Sequence, residues 1–311
     1  VKGCNVDPLP PASREEKEQT MNEVNLPQGT IRYRDLGNGK PIVFVHGLLA
    51  NGELWRDVAP RLAADFRVIV PDWPLGSQEL AMNAGIDLSP PALAQIISDF
   101  LSALELEDVT LVGNDTGGAI CQLLAVSHPE RIGRLVLTPC DAYENFLPPA
   151  FRPLQALARI PGAFYLLTQA LRSRAARRLP LAYGWLMKRP EDALTDSWLA
   201  PARSSAAIRR EVAAILKGIS NRHTLEAAGR FGEFTKPVLI AWAPEDRFFK
   251  FRFAERLAHD FPDARLEKIE DSYTFVSLDQ PGRTAELIAE FAREPARRPA
   301  SVAPQAAHEP E

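Results

Sequence analysis

The residues best suited to chemistry lie in one short stretch, Leu111-Val112-Gly113-Asn114-Asp115-Thr116-Gly117-Gly118. An apolar run ends there, small residues flank a carboxylate, and a helical pattern follows at once. This order predicts a tight strand-to-helix bend. Glycines on both sides let the backbone pack closely, and the central side chain projects at a helix N-terminus, where N–H groups favour negative charge. A carboxylate held in that way is suited to nucleophilic or acid–base work. The same pattern also fits an ordinary loop in which Asp115 is the N-cap, and the stretch alone does not separate the two. The five histidines (His46, His128, His223, His259, His308) and three cysteines (Cys4, Cys121, Cys140) lack metal-ligand or C-x-x-C spacing. Neither a metal site, a cofactor nor a disulfide framework is expected.

The bend must be positioned by a scaffold, and strand and helix signals alternate along most of the chain. Residues 21–27 and 30–36 read as an antiparallel pair around a turn at Pro27-Gln28-Gly29. Short apolar runs follow at 41–46, 66–70, 109–113, 132–138 and 237–243, with a weaker one at 265–269. Such runs suit strands buried on both faces. Helical patterns fall at 53–63, 89–104 (opening Ser89-Pro90-Pro91), 116–127, 250–260 and 281–292. This alternation predicts an α/β fold with a mostly parallel central sheet flanked by helices. From 142 to 236 strong strand signals stop, which predicts a helical cap inserted over the strand ends. The expected organisation is a flexible segment 1–20, a core of 21–141 and 237–293, the cap 142–236, and a disordered Pro- and Ala-rich tail 294–311.

With 36 Lys plus Arg against 40 Asp plus Glu, the chain carries −4, so no overall field favours nucleic acid or a membrane. The run Arg172, Arg174, Arg177, Arg178 reads as the wet face of a helix. No apolar run reaches a membrane span, and a cytoplasmic protein is the default expectation. Nothing in the sequence sets an oligomeric state.

Together with Phe44-Val45-His46-Gly47-Leu48, His128-Pro129-Glu130-Arg131, Trp242-Ala243-Pro244-Glu245-Asp246-Arg247 and Asp271-Ser272-Tyr273-Thr274-Phe275-Val276, the bend resembles the α/β-hydrolase family over roughly residues 22–293. An aspartate at the bend resembles the branch of haloalkane dehalogenases and epoxide hydrolases, whose carboxylate attacks carbon to form an ester. The resemblance implies that the amides of Leu48 and Thr116 form an oxyanion hole and that Asp246 is the triad acid, with Asp141 at the second position the family uses. It also implies a histidine directly before an aromatic residue near the C-terminus. In Tyr273-Thr274-Phe275 that place holds Thr274, and no histidine lies between His259 and His308.

The expected function is therefore a cofactor-independent enzyme of hydrolase type acting on a small apolar molecule, with Asp115 as its principal residue. Two alternatives stay open. Asp115 could act as acid or base in a non-hydrolytic step (isomerase, lyase or cyclase), or the chain could bind a ligand without chemistry. Halide and epoxide recognition are both incomplete: Thr116 follows Asp115, Leu48 follows the His-Gly pair, and Leu49 stands where a proline is expected. His46, Tyr165, Tyr183, Phe248, Tyr273 and Thr274 are the candidate substrate contacts. Trp55, Trp73, Phe146, Leu147, Trp185, Trp198 and Phe249 could wall a pocket or pack the cap on the sheet.

Overall fold

A computed structural model describes residues 21–294. The expected flexible segment 1–20 and all but the first residue of the expected disordered tail 294–311 lie outside the described residues. Eight strands form one sheet: β1 Met21–Leu26, β2 Gly29–Leu36, β3 Pro41–Val45, β4 Arg67–Pro71, β5 Val109–Asp115, β6 Ile132–Cys140, β7 Val238–Trp242 and β8 Ala264–Lys268. Their spatial order is β1-β2-β4-β3-β5-β6-β7-β8. β1 pairs antiparallel with β2 and β2 with β4, and every other neighbouring pair is parallel.

Six helices have ten residues or more: α1 Pro90–Ala103, α2 Thr116–Ser127, α3 Asp192–Ser204, α4 Ala206–Gly218, α5 Phe251–Asp260 and α6 Pro281–Arg293. Successive side chains of a strand point to opposite faces, so one apolar run feeds two cores. Val43, Val45, Leu111, Leu135 and Ile240 pack with α1, α2 and α5, while Ile42, Phe44, Val112, Val136 and Leu239 pack with α6. Both faces of the central strands are thus dry, which is why their sequences are continuously apolar instead of alternating.

Two local readings change. The pattern at 53–63 splits into a 3-10 turn, Gly52–Trp55, and one α-turn, Ala59–Leu62. Pro60 falls in the first turn of the second piece, where its missing N–H costs no intrahelical bond. Ser89 takes the N-cap position of α1 but makes no capping bond; its hydroxyl donates to Asp87 at 2.8 Å. Pro90 and Pro91 present no N–H for a cap to satisfy.

Between β6 and β7 the described chain forms helices and turns, with one isolated bridge between Ala142 and Asn145. This segment packs on the loops after β3, β4 and β8 through Tyr183 to Leu49, Glu211 to Gln78 and Met82, and Lys188 to Asp279. The arginine run needs a correction. Arg172, Arg174 and Arg178 are exposed, but Arg177 is only 6% exposed. Its guanidinium donates to the carbonyls of Leu171, Arg172 and Asp192, to Thr195 Oγ1 and to Asp196 Oδ1. Carbonyls at short helix ends need donors, and five bonds satisfy the buried charge. Arg177→Met should cost about 3 kcal/mol, because the carbonyls lose their donors. Urea denaturation checks this, and a loss below about 0.5 kcal/mol, the range of ordinary surface changes, contradicts it.

Candidate active site

β5 runs directly into α2 at Asp115, whose backbone lies at φ 53°, ψ −133°. Positive φ in a residue with a Cβ costs of order 1–3 kcal/mol and persists only where surroundings enforce it. Here they do. A Cβ on Gly117 would lie 2.3 Å from the His46 carbonyl oxygen, and one on Gly118 would lie 2.3 Å from the Cys140 Cβ. A Cβ on Gly47 would lie 2.1 Å from Asp115 Oδ2, so the strand-end glycine is what leaves room for the carboxylate.

The backbone N–H groups of Thr116 and Leu48 favour the ionised form of the Asp115 carboxylate. Burial nevertheless outweighs them and raises its pKa to about 7, with the charge of Asp246 adding to the shift. Asp115, Leu48 and Leu49 are each half-buried. Asp141 is 1% exposed and accepts from the Leu147 amide at 2.9 Å and, weakly, from Thr116 Oγ1 at 3.5 Å. Burial first, then the charge of Asp115, raises its pKa well above the usual carboxylate range.

Asp246 lies at the turn after β7, 4% exposed. Its Oδ1 accepts the amides of Phe248 (2.7 Å) and Phe249 (2.6 Å), and its Oδ2 accepts the Thr274 hydroxyl at 2.8 Å. Burial raises its pKa to about 6 against those three bonds. Thr274 is fully buried, and its carbonyl accepts from Asn114 Nδ2 at 2.8 Å. The elbow, the β7 turn and the loop after β8 are therefore tied together behind Asp115. A carboxylate on a bend, next to two amides that favour its charge and to loops tied together by a buried acid, is a set able to support attack on carbon.

A family model described as alpha/beta hydrolase fold matches residues 40–281. The chain belongs to the α/β-hydrolase fold family. It is 29% identical over 272 residues to haloalkane dehalogenase 2 of Mycobacterium tuberculosis, covering 85% of this chain and 91% of that one. It is 25% identical over 253 residues to a 2-hydroxy-6-oxo-6-phenylhexa-2,4-dienoate hydrolase of Burkholderia cepacia, covering 79% and 85%. Among solved structures, an α/β-hydrolase fold protein from Burkholderia ambifaria superposes with a TM-score of 0.73 at 22% identity, covering 86% of this chain and 97% of that one. The expected fold is thereby established, and the two named relatives are a haloalkane dehalogenase and a dienoate hydrolase.

Within this α/β-hydrolase, several candidate contacts are placed elsewhere. His46 is fully buried, with Nε2 accepting the Trp73 amide and Nδ1 against the Gly47 carbonyl, both at 2.9 Å. Since Nε2 accepts, the proton sits on Nδ1, and burial lowers the pKa to about 4. Both ring nitrogens are committed, so His46 offers neither a base nor a free substrate contact. Tyr165 is 45% exposed with Arg209 over its ring. Tyr273 turns its hydroxyl to Arg247 at 2.9 Å, between that residue and Lys188. Tyr183 does reach the site, donating to the Leu49 carbonyl at 2.8 Å. Phe248 packs its ring on Phe151 and Trp185. Of the aromatic wall candidates, Trp55, Trp73, Trp198 and Phe249 are core, while Trp185 is exposed.

None of the other described histidines bonds to Asp115, Asp246 or Thr274. His128 ends α2, roughly 18 Å along the helix from Asp115. His223 is half-buried on Asn221–Ala228, and His259 is exposed beside Asp260. Asn114 was not singled out as a site residue in the sequence, and Leu49 only for standing where a proline is expected. Asn114 was visible inside the motif, but its link to Thr274 spans 160 positions; Leu49 carries no signal beyond its place after the His-Gly pair.

Proposed function

We propose that this α/β-hydrolase is a cofactor-independent enzyme that attacks a small apolar electrophile with Asp115, and that the helical segment 142–236 is the cap over that site. What supports the reading is the placement of the Asp115 carboxylate on a positive-φ bend against Gly47, with the amides of Leu48 and Thr116 favouring its ionised form. An aspartate nucleophile keeps one oxygen as the carbonyl of its ester, so the hole belongs on that oxygen. The other oxygen is free to attack. The new C–O bond forms as the bond from carbon to the leaving group breaks, and the leaving group departs with the electron pair. Water attack on the ester would return charge to the oxygen already in the hole. That second step needs a base, and Thr274 occupies the place where one would be oriented by Asp246. The ester should therefore outlive the first step.

Incubation with short alkyl halides, epoxides and aryl esters, followed by intact mass measurement, tests this. One equivalent of adduct is expected on Asp115. Its formation rate should rise about tenfold per pH unit on the acid side and level off above about 7, because only the ionised carboxylate attacks and its pKa is raised to about 7. A rate flat across that range, or no adduct with any of the three classes, sinks the nucleophilic reading. A second reading rests on the same near-neutral titration: a carboxyl poised there suits proton transfer in an isomerase, lyase or cyclase. Turnover without any adduct selects it.

A further inference from the structure

The chain's charge of −4 gives no reason to expect an anionic surface as partner, but its distribution does. Residues 146–190 contain no Asp or Glu and eight cations: Arg152, Arg159, Arg172, Arg174, Arg177, Arg178, Lys188 and Arg189. The remainder of the chain is correspondingly −12. Arg152, Arg159 and Arg172 are exposed and make no ion pair among the described residues. Arg174 and Arg178 share one partner, Asp192, the buried Arg177 pairs with Asp196, and Lys188 and Arg189 pair with Asp271.

The same stretch leaves large apolar side chains in water. Ile160, Tyr165, Leu166, Leu179, Leu181 and Trp185 are 40–68% exposed, and only Leu80 and Leu225 among the other described residues join them as exposed large hydrophobics. Single exposed hydrophobics are ordinary; six within 26 residues, in a stretch that also holds three arginines without an ion pair, are not. A protein core partner would accept the apolar groups but not the free cations. The surface that takes both is an anionic bilayer, whose headgroups pair with arginine and whose acyl boundary takes leucine and tryptophan. No helix among the described residues is long and apolar enough to cross a membrane, so the contact would lie on the surface.

We propose that residues 146–190 form a docking face for an anionic lipid bilayer. The face is continuous with the loops of the candidate site, since Trp185 stands 6.2 Å from Phe248 and Tyr183 bonds to Leu49. The attachment does not depend on what Asp115 does, and its test uses no substrate. The full chain is floated with vesicles of phosphatidylcholine alone and with an equal mixture of phosphatidylcholine and phosphatidylglycerol, at low and high salt.

Binding to the mixed vesicles only, weakened by salt, is expected. The triple variant Arg152→Glu, Arg159→Glu, Arg172→Glu should lower the affinity roughly 100-fold, since each cation near such a surface contributes about a factor of five. A second triple variant, Leu166→Ser, Leu179→Ser, Leu181→Ser, should lower it by roughly tenfold or more. All six positions are exposed, so melting temperatures should stay close to the parent's. Absence of binding to either vesicle overturns the proposal, as does binding that neither variant changes. A dimer seen by size exclusion and broken by the leucine variant, with no vesicle binding, overturns it in favour of a second copy of this chain.

Discussion

Asp115→Asn is expected to abolish adduct formation and any turnover that depends on it, by about 10⁴-fold or more, as removal of a nucleophile generally does. The amide is nearly the same size as the carboxyl, so the strained elbow and the glycines packed around it stay as they are. What disappears is the charge that attacks. The variant should also be more stable at alkaline pH. Burial raises the Asp115 pKa from 3.8 to about 7, so ionisation is penalised in the folded state relative to the unfolded chain. For a raised acid pKa the penalty is absent below the unfolded value, grows between about 4 and 7, and is complete above. Asparagine escapes it. A gain of order 2–4 kcal/mol at pH 8 is expected, shrinking to nothing near pH 4. Denaturant unfolding at the two pH values reads this directly. Loss of function together with gain of stability would mark Asp115 as a residue held at a cost for its chemistry. Undiminished adduct or turnover in the variant would remove Asp115 from the mechanism.

Thr274→His is the complementary experiment, adding a function instead of removing one. Asp246 Oδ1 is saturated by two amides, and Oδ2 holds only the Thr274 hydroxyl. An imidazole at this position would inherit that bond through one ring nitrogen and present the other toward the space in front of Asp115. A positioned base typically accelerates proton transfer 10²–10⁴-fold, so the lifetime of the Asp115 ester should fall by about that factor. Stoichiometric capture would become repeated turnover. The larger ring enters a fully buried place, and overpacking should cost about 1–3 kcal/mol. Circular dichroism and a melting curve establish that the variant is folded. The decisive measurement is the decay of the adduct after excess reagent is removed. Equal persistence in parent and folded variant would show that the missing histidine is not what limits the second step.

Much of the fold was legible because its signals are local. Continuous apolar runs such as 41–45 and 109–113 read as strands buried on both faces, and they are. The elbow was legible for the same reason: glycines at 113, 117 and 118 report a backbone crowded on every side, and each faces a contact too close for a side chain. Thr274 could be located by register against an aromatic neighbour, Phe275. Where the local pattern was ambiguous, reading failed. Four arginines within seven positions look like a solvated helix face, yet the turn between Leu171 and Arg172 needed donors and drew Arg177 inside.

Chain order and residue type alone determined that a carboxylate would stand on a tight bend of an α/β sheet, with the histidine usual for the family replaced. Which atoms meet there was decided by tertiary structure. The Thr274–Asp246 bond spans 28 positions, the Trp73–His46 bond 27 and the Tyr183–Leu49 bond 134. Hydrogen bonds of that kind depend on where strand ends and loops are brought together in space, and no short-range periodicity records it. Whether His46 was a base or a strut turned on the Trp73 amide reaching its Nε2, an encounter only the assembled sheet can arrange.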